Sequence, residues 1–439
     1  MITYVGQRVH NGYKKNCSMI SIGFGLVLLA LAFVVTMLVY PLVLKYALVH
    51  KIVDNPNVRK LQRVPVPVMG GTTVLVGFLV AFLVAFAYYQ DNQSLIVAAI
   101  MLVMYFIGTW DDRHDMSAAL RFAIEIGVVW IIMLLLGVEI NNFHGLWGLY
   151  EIPDMVSVPL SIIAGVGIIN AINLIDGVDG YCSSYGIMAC LSFAILFYFS
   201  GERMMFNLSL SFMGALVPFF LHNVFGGISK MFLGDGGSLV MGTVLTLFVF
   251  TALASGRGTS VLDSTGLSLS AFVLAVAAIP VFDTLRVMTA RVICGHSPFH
   301  PDKTHLHHLF IEMNFAHLVT SAIIVLANFF IVLCQLLSWR LGASVDFQLY
   351  LVIGLGLLFT TGFYYFMDYH HRKNDGEGSK FYKSWCRIGL KSHSEGNGLW
   401  HCMQRLVDSR FLAGRFAKSM ENEAEKESNA HVRPDPRIK

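Results

Sequence analysis

Charge is scarce in this sequence. Asp, Glu, Lys and Arg make up 13% of its 439 residues, about half the ~25% of an ordinary soluble domain. A soluble chain of this length could not cover its surface with so few charges. A disordered chain, a collagen and a coiled coil are excluded on the same numbers. Cysteine is sparse too: Cys17, Cys182, Cys190, Cys294, Cys334, Cys386 and Cys402 are odd in number and scattered. None has metal-site spacing, so reduced thiols and no disulfide framework are expected. The first apolar run, from Met19, is too long for a signal-peptide core, and no A-x-A-like cleavage site stands out. A Walker motif is missing as well. The net charge of +3 is small, and no nucleic-acid partner is expected. What is abundant is apolar: 55% of residues are hydrophobic and the mean hydropathy is +0.63. They come in long runs rather than strict alternation, which argues against a porin-type barrel. The expected fold class is all-α, a polytopic integral membrane protein.

A span needs about 20 apolar residues. Eleven are expected, near 19–46, 68–90, 93–110, 117–137, 157–175, 181–200, 205–223, 237–255, 268–290, 317–338 and 347–368. The basic residues set the orientation. One set of connections holds Lys45, Lys51, Arg59, Lys60, Arg63, Arg113, Arg121, Lys230, Arg286, Arg291 and Lys303, while the other holds Arg203, Arg257 and Arg340. The positive-inside rule puts the rich set and the basic C-terminal tail in the cytoplasm, and the N-terminus outside. The chain thus divides into a tail at 1–18, a membrane domain at 19–368 and a polar cytoplasmic tail at 369–439. Within that last tail, 400–420 is expected to form an amphipathic helix on the membrane surface.

Ionisable groups at membrane depth are costly and point to function. Here the polar clusters all fall on the basic side. Asp111 and Asp112 end the third span. Adjacent carboxylates repel, and a divalent cation or an Arg would relieve them, although a solvated acidic loop reads the same way. Asn170, Asn173 and Asp176 recur every three residues at the end of the fifth span, followed by Asp179, with Gly177 and Gly180 freeing the backbone to turn. A polar helix end with a Gly cap is the minority reading, because four amide or carboxylate side chains recur at this spacing. Phe232–Ser238 is a Gly-rich entry to the eighth span carrying Asp235. Such an entry offers backbone N–H groups to a phosphate, and an Asp within it could hold Mg²⁺, or could simply be an N-cap. His296, His300, His305, His307 and His308 crowd one loop with Lys303, suiting phosphate better than zinc. Glu125, inside the fourth span, is read as an interhelical partner, and Asp283 and Arg286 as a pair three residues apart. Asn223 and Lys230 are second-tier candidates. Carboxylates for a metal, turns for phosphate and cations at one membrane face are the parts phosphoryl transfer needs. A multi-pass transporter is the alternative, but it predicts polar residues near the midplane of several spans.

These motifs resemble the polyprenyl-phosphate N-acetylhexosamine-1-phosphate transferases over roughly residues 50–312. The family's Asp pair matches Asp111-Asp112, and its N-x-x-N-x-x-D-G-x-D-G stretch matches Asn170 to Gly180. Its F-x-G-D-x-G-S loop matches Phe232 to Ser238, and its basic loop before P-x-x-G-G matches Arg59 to Gly71. The eleven spans fit the same family. Leu306 interrupts the histidines, which resembles the branch using UDP-N-acetylglucosamine rather than the peptidoglycan branch with three in a row. Gln62 departs from the His common in the basic loop.

The resemblance implies transfer of HexNAc-1-phosphate, GlcNAc-1-phosphate first, from the UDP-sugar to undecaprenyl phosphate. The products would be undecaprenyl-diphosphate-GlcNAc and UMP, in a first step of cell-surface polysaccharide synthesis at the bacterial inner membrane. It implies Mg²⁺, or Mn²⁺ in its place, on Asp235 and Asp112. Asp111, Asp112, Asp176 and Asp235 would be catalytic, with Asp111 orienting or deprotonating the lipid phosphate. Asn170, Asn173, Asp179, Lys60, Arg63, His305, His307 and His308 would contact substrate. The bilayer and a second copy of the chain complete the expected partners.

Overall fold

A computed structural model of the chain describes residues 2–54, 65–114, 116–299, 304–372, 385 and 398–412. The fold is all-α. Its helices are α1 (Ile2–Val49), α2 (Gly70–Tyr89), α3 (Asn92–His114), α4 (Ala118–Leu136), α5 (Asp154–Leu174), α6 (Tyr181–Ser200), α7 (Arg203–Phe225) and α8 (Gly234–Ala252). There follow α9 (Leu269–Val276), α10 (Ala278–Ile293), α11 (Leu306–Glu312), α12 (His317–Arg340), α13 (Val345–Leu357), α14 (Phe363–Arg372) and a last helix, α15 (Gly398–Leu412). Two short antiparallel pairs interrupt the pattern: β1 (Val53–Asp54) with β2 (Val66–Pro67), and β3 (Asn142–Leu146) with β4 (Leu149–Glu151). Among the described residues ten helices are long and apolar enough to cross a membrane, α13 and α14 counting as one because the turn Leu358–Gly362 joins them into a continuous helix. The count is eleven if the bent pair Gly258–Thr265 and α9 is one span. The chain is therefore a multi-pass membrane protein, as its composition predicts. Large apolar side chains such as Leu42, Phe106, Leu134 and Leu326 stand about two-thirds exposed, which only a lipid surround makes favourable.

Packing is arranged around α8, the most enclosed span. It lies against α2, α3 and α5, while α7 packs on α1, α2 and α6. Several buried hydroxyls of the spans turn back onto their own helices: Ser209 donates to Met205 O, Thr243 to Leu239 O and Thr246 to Gly242 O. This satisfies polar atoms where water is absent.

The ninth expected span, 268–290, is not one helix. It breaks at Ala277 between α9 and α10. Pro280 follows in the first turn of α10, where its missing N–H costs nothing. Neighbouring side chains satisfy the freed backbone. Asn328 of α12 accepts from Ile279 N (2.8 Å) and donates to Val276 O (2.9 Å), and Tyr185 of α6 donates to the same carbonyl (3.1 Å). Helix α1 is described from Ile2, with its apolar span at Ile22–Val49, and α14 ends at Arg372. Of the amphipathic segment expected at 400–420, α15 covers the part up to Leu412, and the remainder lies outside the described residues.

The connections fall into two groups. At one end lie those between α1 and α2, α3 and α4, α5 and α6, α7 and α8, and α10 and α11. At the other lie those after α2, α4, α6, α8 and α12, of which the ones after α4, α6 and α8 are joined by Asn141 N–H on Leu253 O and Glu202 on Gly258 N–H.

Candidate active site

The site is assembled at the N-terminus of α8. Phe232 N donates to Pro67 O (2.8 Å), and Gly70 N and Gly71 N donate to Phe232 O and Leu233 O (2.8 Å each). The P-x-x-G-G motif thus clamps the loop that presents Asp235. From the other side α3 packs so closely that a Cβ on Gly108 would collide with the Asp235 backbone. Glycine is needed there for close approach rather than flexibility. That approach lets Asp112, four residues on, accept the Asp235 N–H (3.1 Å). A carboxylate at the positive end of α8 satisfies an orphan donor and complements the helix dipole.

Arg121, in the first turn of α4, joins the acidic motifs. Its guanidinium lies 3.2 Å from Asp111 Oδ2, 3.4 Å from Glu125 Oε1 and 3.9 Å from Asp235 Oδ2. It also donates to Asn170 Oδ1 (3.0 Å) and Asn173 Oδ1 (3.2 Å). Asn173 in turn donates to Asp235 Oδ1 (2.8 Å) and lies 2.9 Å from Ser238 Oγ. Asn170 donates to Glu125 Oε2 and to Val166 O. The interhelical partner expected for Glu125 is therefore Asn170. Asp111 Oδ1 accepts the Met116 N–H (2.8 Å), so both Asp111 oxygens are engaged in holding Arg121 and the turn into α4.

Asp176 sits beyond the end of α5, within electrostatic reach of Asp235 and Asp112. Burial, and then those two charges, push its carboxyl well above the usual range. Asp179 behaves in the opposite way. Burial pushes it up, but His317 Nδ1 and Lys230 Nζ, each 2.6 Å from Oδ2, outweigh that and hold it below its ordinary value. Asp179 is thus a bracket between α12 and the α7–α8 loop, a role not foreseen for it. Asn223 completes the bracket: it accepts Gly180 N–H (2.6 Å) and donates to Met231 O (2.9 Å).

The histidine cluster faces the acids across the same cavity. His305 Nδ1 lies 3.0 Å from Asp283 Oδ2, and Asp283 Oδ1 takes Arg286 Nη2 (2.7 Å). The pair expected at Asp283 and Arg286 is present, and it orients His305. His307 is buried beside Gly177 and Tyr181. Burial, with His308 and His305 near by, drives its pKa well down, so the ring is neutral. His300 and Lys303, like Lys60 and Arg63 of the basic loop, lie outside the described residues.

The acids, His305, His307 and His308 line one end of a cavity of about 2100 Å³. The rest is walled by apolar residues of α4, α5, α9 and α10, among them Ile126, Ile163, Val273 and Leu285. Among the described residues no three His, Cys, Asp or Glu side chains are close enough to hold a metal by themselves. Two neighbouring carboxylates, with the Asp235 side chain still 34% exposed, match a hard cation that keeps water or phosphate oxygens as its remaining ligands.

Sequence reasoning placed Arg121 among the basic loop residues and missed it as the hub. The signal was there: Arg121 and Glu125 are ionisable groups four apart at the start of an apolar span. His317 and Ser238 were missed as well.

Comparison with known proteins bears on the family of the chain. The profile of Glycosyl transferase family 4 matches residues 93–253, which include the Asp pair, the Asn170–Gly180 stretch and Asp235. The chain is 31% identical over 286 residues to undecaprenyl-phosphate alpha-N-acetylglucosaminyl 1-phosphate transferase of Escherichia coli (strain K12), covering 63% of this chain and 73% of that one. It is 27% identical over 307 residues to a probable undecaprenyl-phosphate N-acetylglucosaminyl 1-phosphate transferase of Bacillus subtilis (strain 168), covering 69% and 82%. It is 29% identical over 306 residues to the Yersinia pestis undecaprenyl-phosphate alpha-N-acetylglucosaminyl 1-phosphate transferase, covering 68% and 80%. With the acidic motifs gathered at one end of a membrane-embedded cavity, and these identities over most of the relatives' length, the chain is a transferase that belongs to glycosyl transferase family 4.

Proposed function

We infer that the protein transfers GlcNAc-1-phosphate from UDP-GlcNAc to undecaprenyl phosphate. The products are undecaprenyl-diphosphate-GlcNAc and UMP, and the reaction takes place at the cytoplasmic face of a bacterial inner membrane. The observation that carries this reading is the shape of the cavity: acids and histidines at one end, an apolar channel along the spans for the rest. A phosphate on a long isoprenoid chain has the same two halves.

The acceptor phosphate oxygen attacks the sugar-bearing phosphorus, a P–O bond forms, and the bond from that phosphorus to UMP breaks. A phosphate monoester is mostly dianionic at neutral pH, its second pKa being about 6, so no strong base is required. Asp111 supports that view, since both its oxygens already hold other groups. Its role is to fix Arg121, which in turn orients Asn173 and Asp235. Asp235 and Asp112 are the residues that would hold Mg²⁺, with Asp176 beside them. The ion would supply neutralisation of the charge on the donor diphosphate. Neutral His307, with His305 locked on Asp283 and His308 beside them, lines the side where donor phosphate or sugar would be gripped. The apolar walls exclude water from the reacting end.

The test is UMP release from purified protein given undecaprenyl phosphate, Mg²⁺ and a panel of UDP-sugars. The reading expects UMP from UDP-GlcNAc, abolished by EDTA and by Asp235→Asn. UMP from a different UDP-HexNAc would correct the sugar. Activity that survives EDTA would remove the metal from the account. No UMP with any donor, from well-folded protein, would overturn the reading.

A further inference from the structure

Outside the segment that the acidic motifs occupy, one buried carboxylate is unusually well held. Asp408, on α15, is 4% exposed. Its Oδ2 accepts Gly227 N–H (3.0 Å), and its Oδ1 accepts Ser229 N–H (3.2 Å) and Ser229 Oγ–H (2.6 Å). A buried charge persists only when donors compensate it, and here the donors come from the α7–α8 loop. Trp400 rests on Phe225 at the end of α7 (5.1 Å between rings), and Val407 is buried beside Asp408. Gly227 lies against α15 closely enough that a Cβ there would touch the ends of the Gln404 and Asp408 side chains.

The gripped loop is the one that leads into the site. Ser229 is held from two further directions. Its Oγ, spent as a donor on Asp408, lies 3.0 Å from His222 Nδ1, and its carbonyl accepts Tyr40 Oη–H (2.8 Å). The next residue is Lys230, whose ammonium meets Asp179 at 2.6 Å and lines the cavity. Met231 is fixed by Asn223, Phe232 by Pro67, and Asp235 follows. One face of this loop is therefore bound to the Asn170–Gly180 motif and the other to the C-terminal helix.

We propose that Asp408 is a positioning residue: α15 docks on the α7–α8 loop through it and sets Lys230 at the mouth of the cavity. The substrate consequence rests on the transferase reading above; the docking itself does not. Lys230 is the group through which Asp408 acts, and the substrate it serves is the phosphate-bearing one that enters past Asp179.

The experiment uses the full chain in detergent or nanodiscs with Asp408→Asn, Asp408→Glu, Lys230→Met and the double variant Asp408→Asn/Lys230→Met. Hydrogen–deuterium exchange over 226–231 reads the docking without turnover. Asp408→Asn should speed exchange there about tenfold or more, and Asp408→Glu should recover part of the protection. Steady-state UMP release reads the consequence. Asp408→Asn should lower kcat/KM about tenfold, mainly through KM, with the thermal midpoint little changed. On the Lys230→Met background the same change should cost less than about twofold, because residues that act through one another are not additive. Unchanged exchange in Asp408→Asn would overturn the docking. Independent, multiplying losses would overturn the route through Lys230. Wild-type protein that releases no UMP while exchange responds as expected would fault the transferase reading and leave the docking standing.

Discussion

The two ends of this bundle solve the same problem in different ways. Each must bring loops together at the edge of an apolar core. At the end away from the motifs, polar side chains mostly meet backbone groups one for one. Arg257 donates to Leu136 O (2.6 Å), Glu202 accepts Gly258 N–H (2.6 Å), Asn141 accepts Ser255 N–H (2.7 Å), and His144 pairs with Asp263 (2.8 Å). Charge there closes locally. At the motif end Arg121 faces three carboxylates, with Asp112 and Asp176 close behind Asp235. That is more carboxyl groups than one guanidinium can pair with, and they open onto a cavity. Satisfied polar groups stabilise a fold; crowded carboxyls held in place at the end of a cavity mark a candidate site.

The comparison is broken most directly by making the same kind of change at both ends. Arg121→Met should cut UMP release by about 100-fold or more, because it strands several carboxylates together in a poorly solvated place. Arg257→Met should change turnover by less than about twofold, since it removes one backbone bond far from the cavity. Equal losses at both ends would dissolve the distinction. Smaller is the effect of Asp112→Asn, which keeps the cap on α8 but loses a charge. The concentration of Mg²⁺ giving half-maximal turnover should rise about tenfold, with kcat falling less.

A pH series sharpens the role of Asp179. Its folded pKa lies below the ordinary 3.8, so its stabilising contribution is complete above that value and disappears as pH falls through the folded one. The difference in thermal midpoint between wild type and Asp179→Asn should then stay constant from about pH 8 to about pH 5, and narrow only below about pH 4. A gap that already closes near pH 6 would mean the carboxyl is not held down by Lys230 and His317. The smallest effect belongs to the quiet end. Asp263→Asn should lower the thermal midpoint by about 2–3 °C, the loss of one charge-assisted bond of about 1 kcal/mol, with turnover unaltered.

Much of this was legible along the chain. The membrane class followed from 13% charge and long apolar runs, because the bilayer leaves no other use for such segments. Asp111, Asp112, Asn173, Asp176 and Asp235 stood out because polar residues at span ends are costly unless they act. The histidines stood out by density. Less legible were the residues whose importance lies in what they touch. Arg121 looked like one more cation in a basic loop. Asp179 was read as a substrate contact, and its contacts with Lys230 and His317 could not be read from spacing. The broken ninth traverse was hidden for a similar reason. The apolar run over 268–282 is long enough to suggest one helix, and at the break at Ala277 Asn328 and Tyr185, from distant helices, meet the exposed backbone.

The sequence by itself determined the solvent, the class of fold, the family and the chemical types at the site, because hydropathy and motif spacing are local properties written along one dimension. Only the tertiary structure decided which carboxylates share one guanidinium, which also caps a helix, and which loop the helix α15 holds. Those outcomes depend on distances between α3, α4, α5, α8 and α15. Electrostatic and hydrogen-bond energies change steeply over an ångström or two, a scale on which spacing along the chain carries no information.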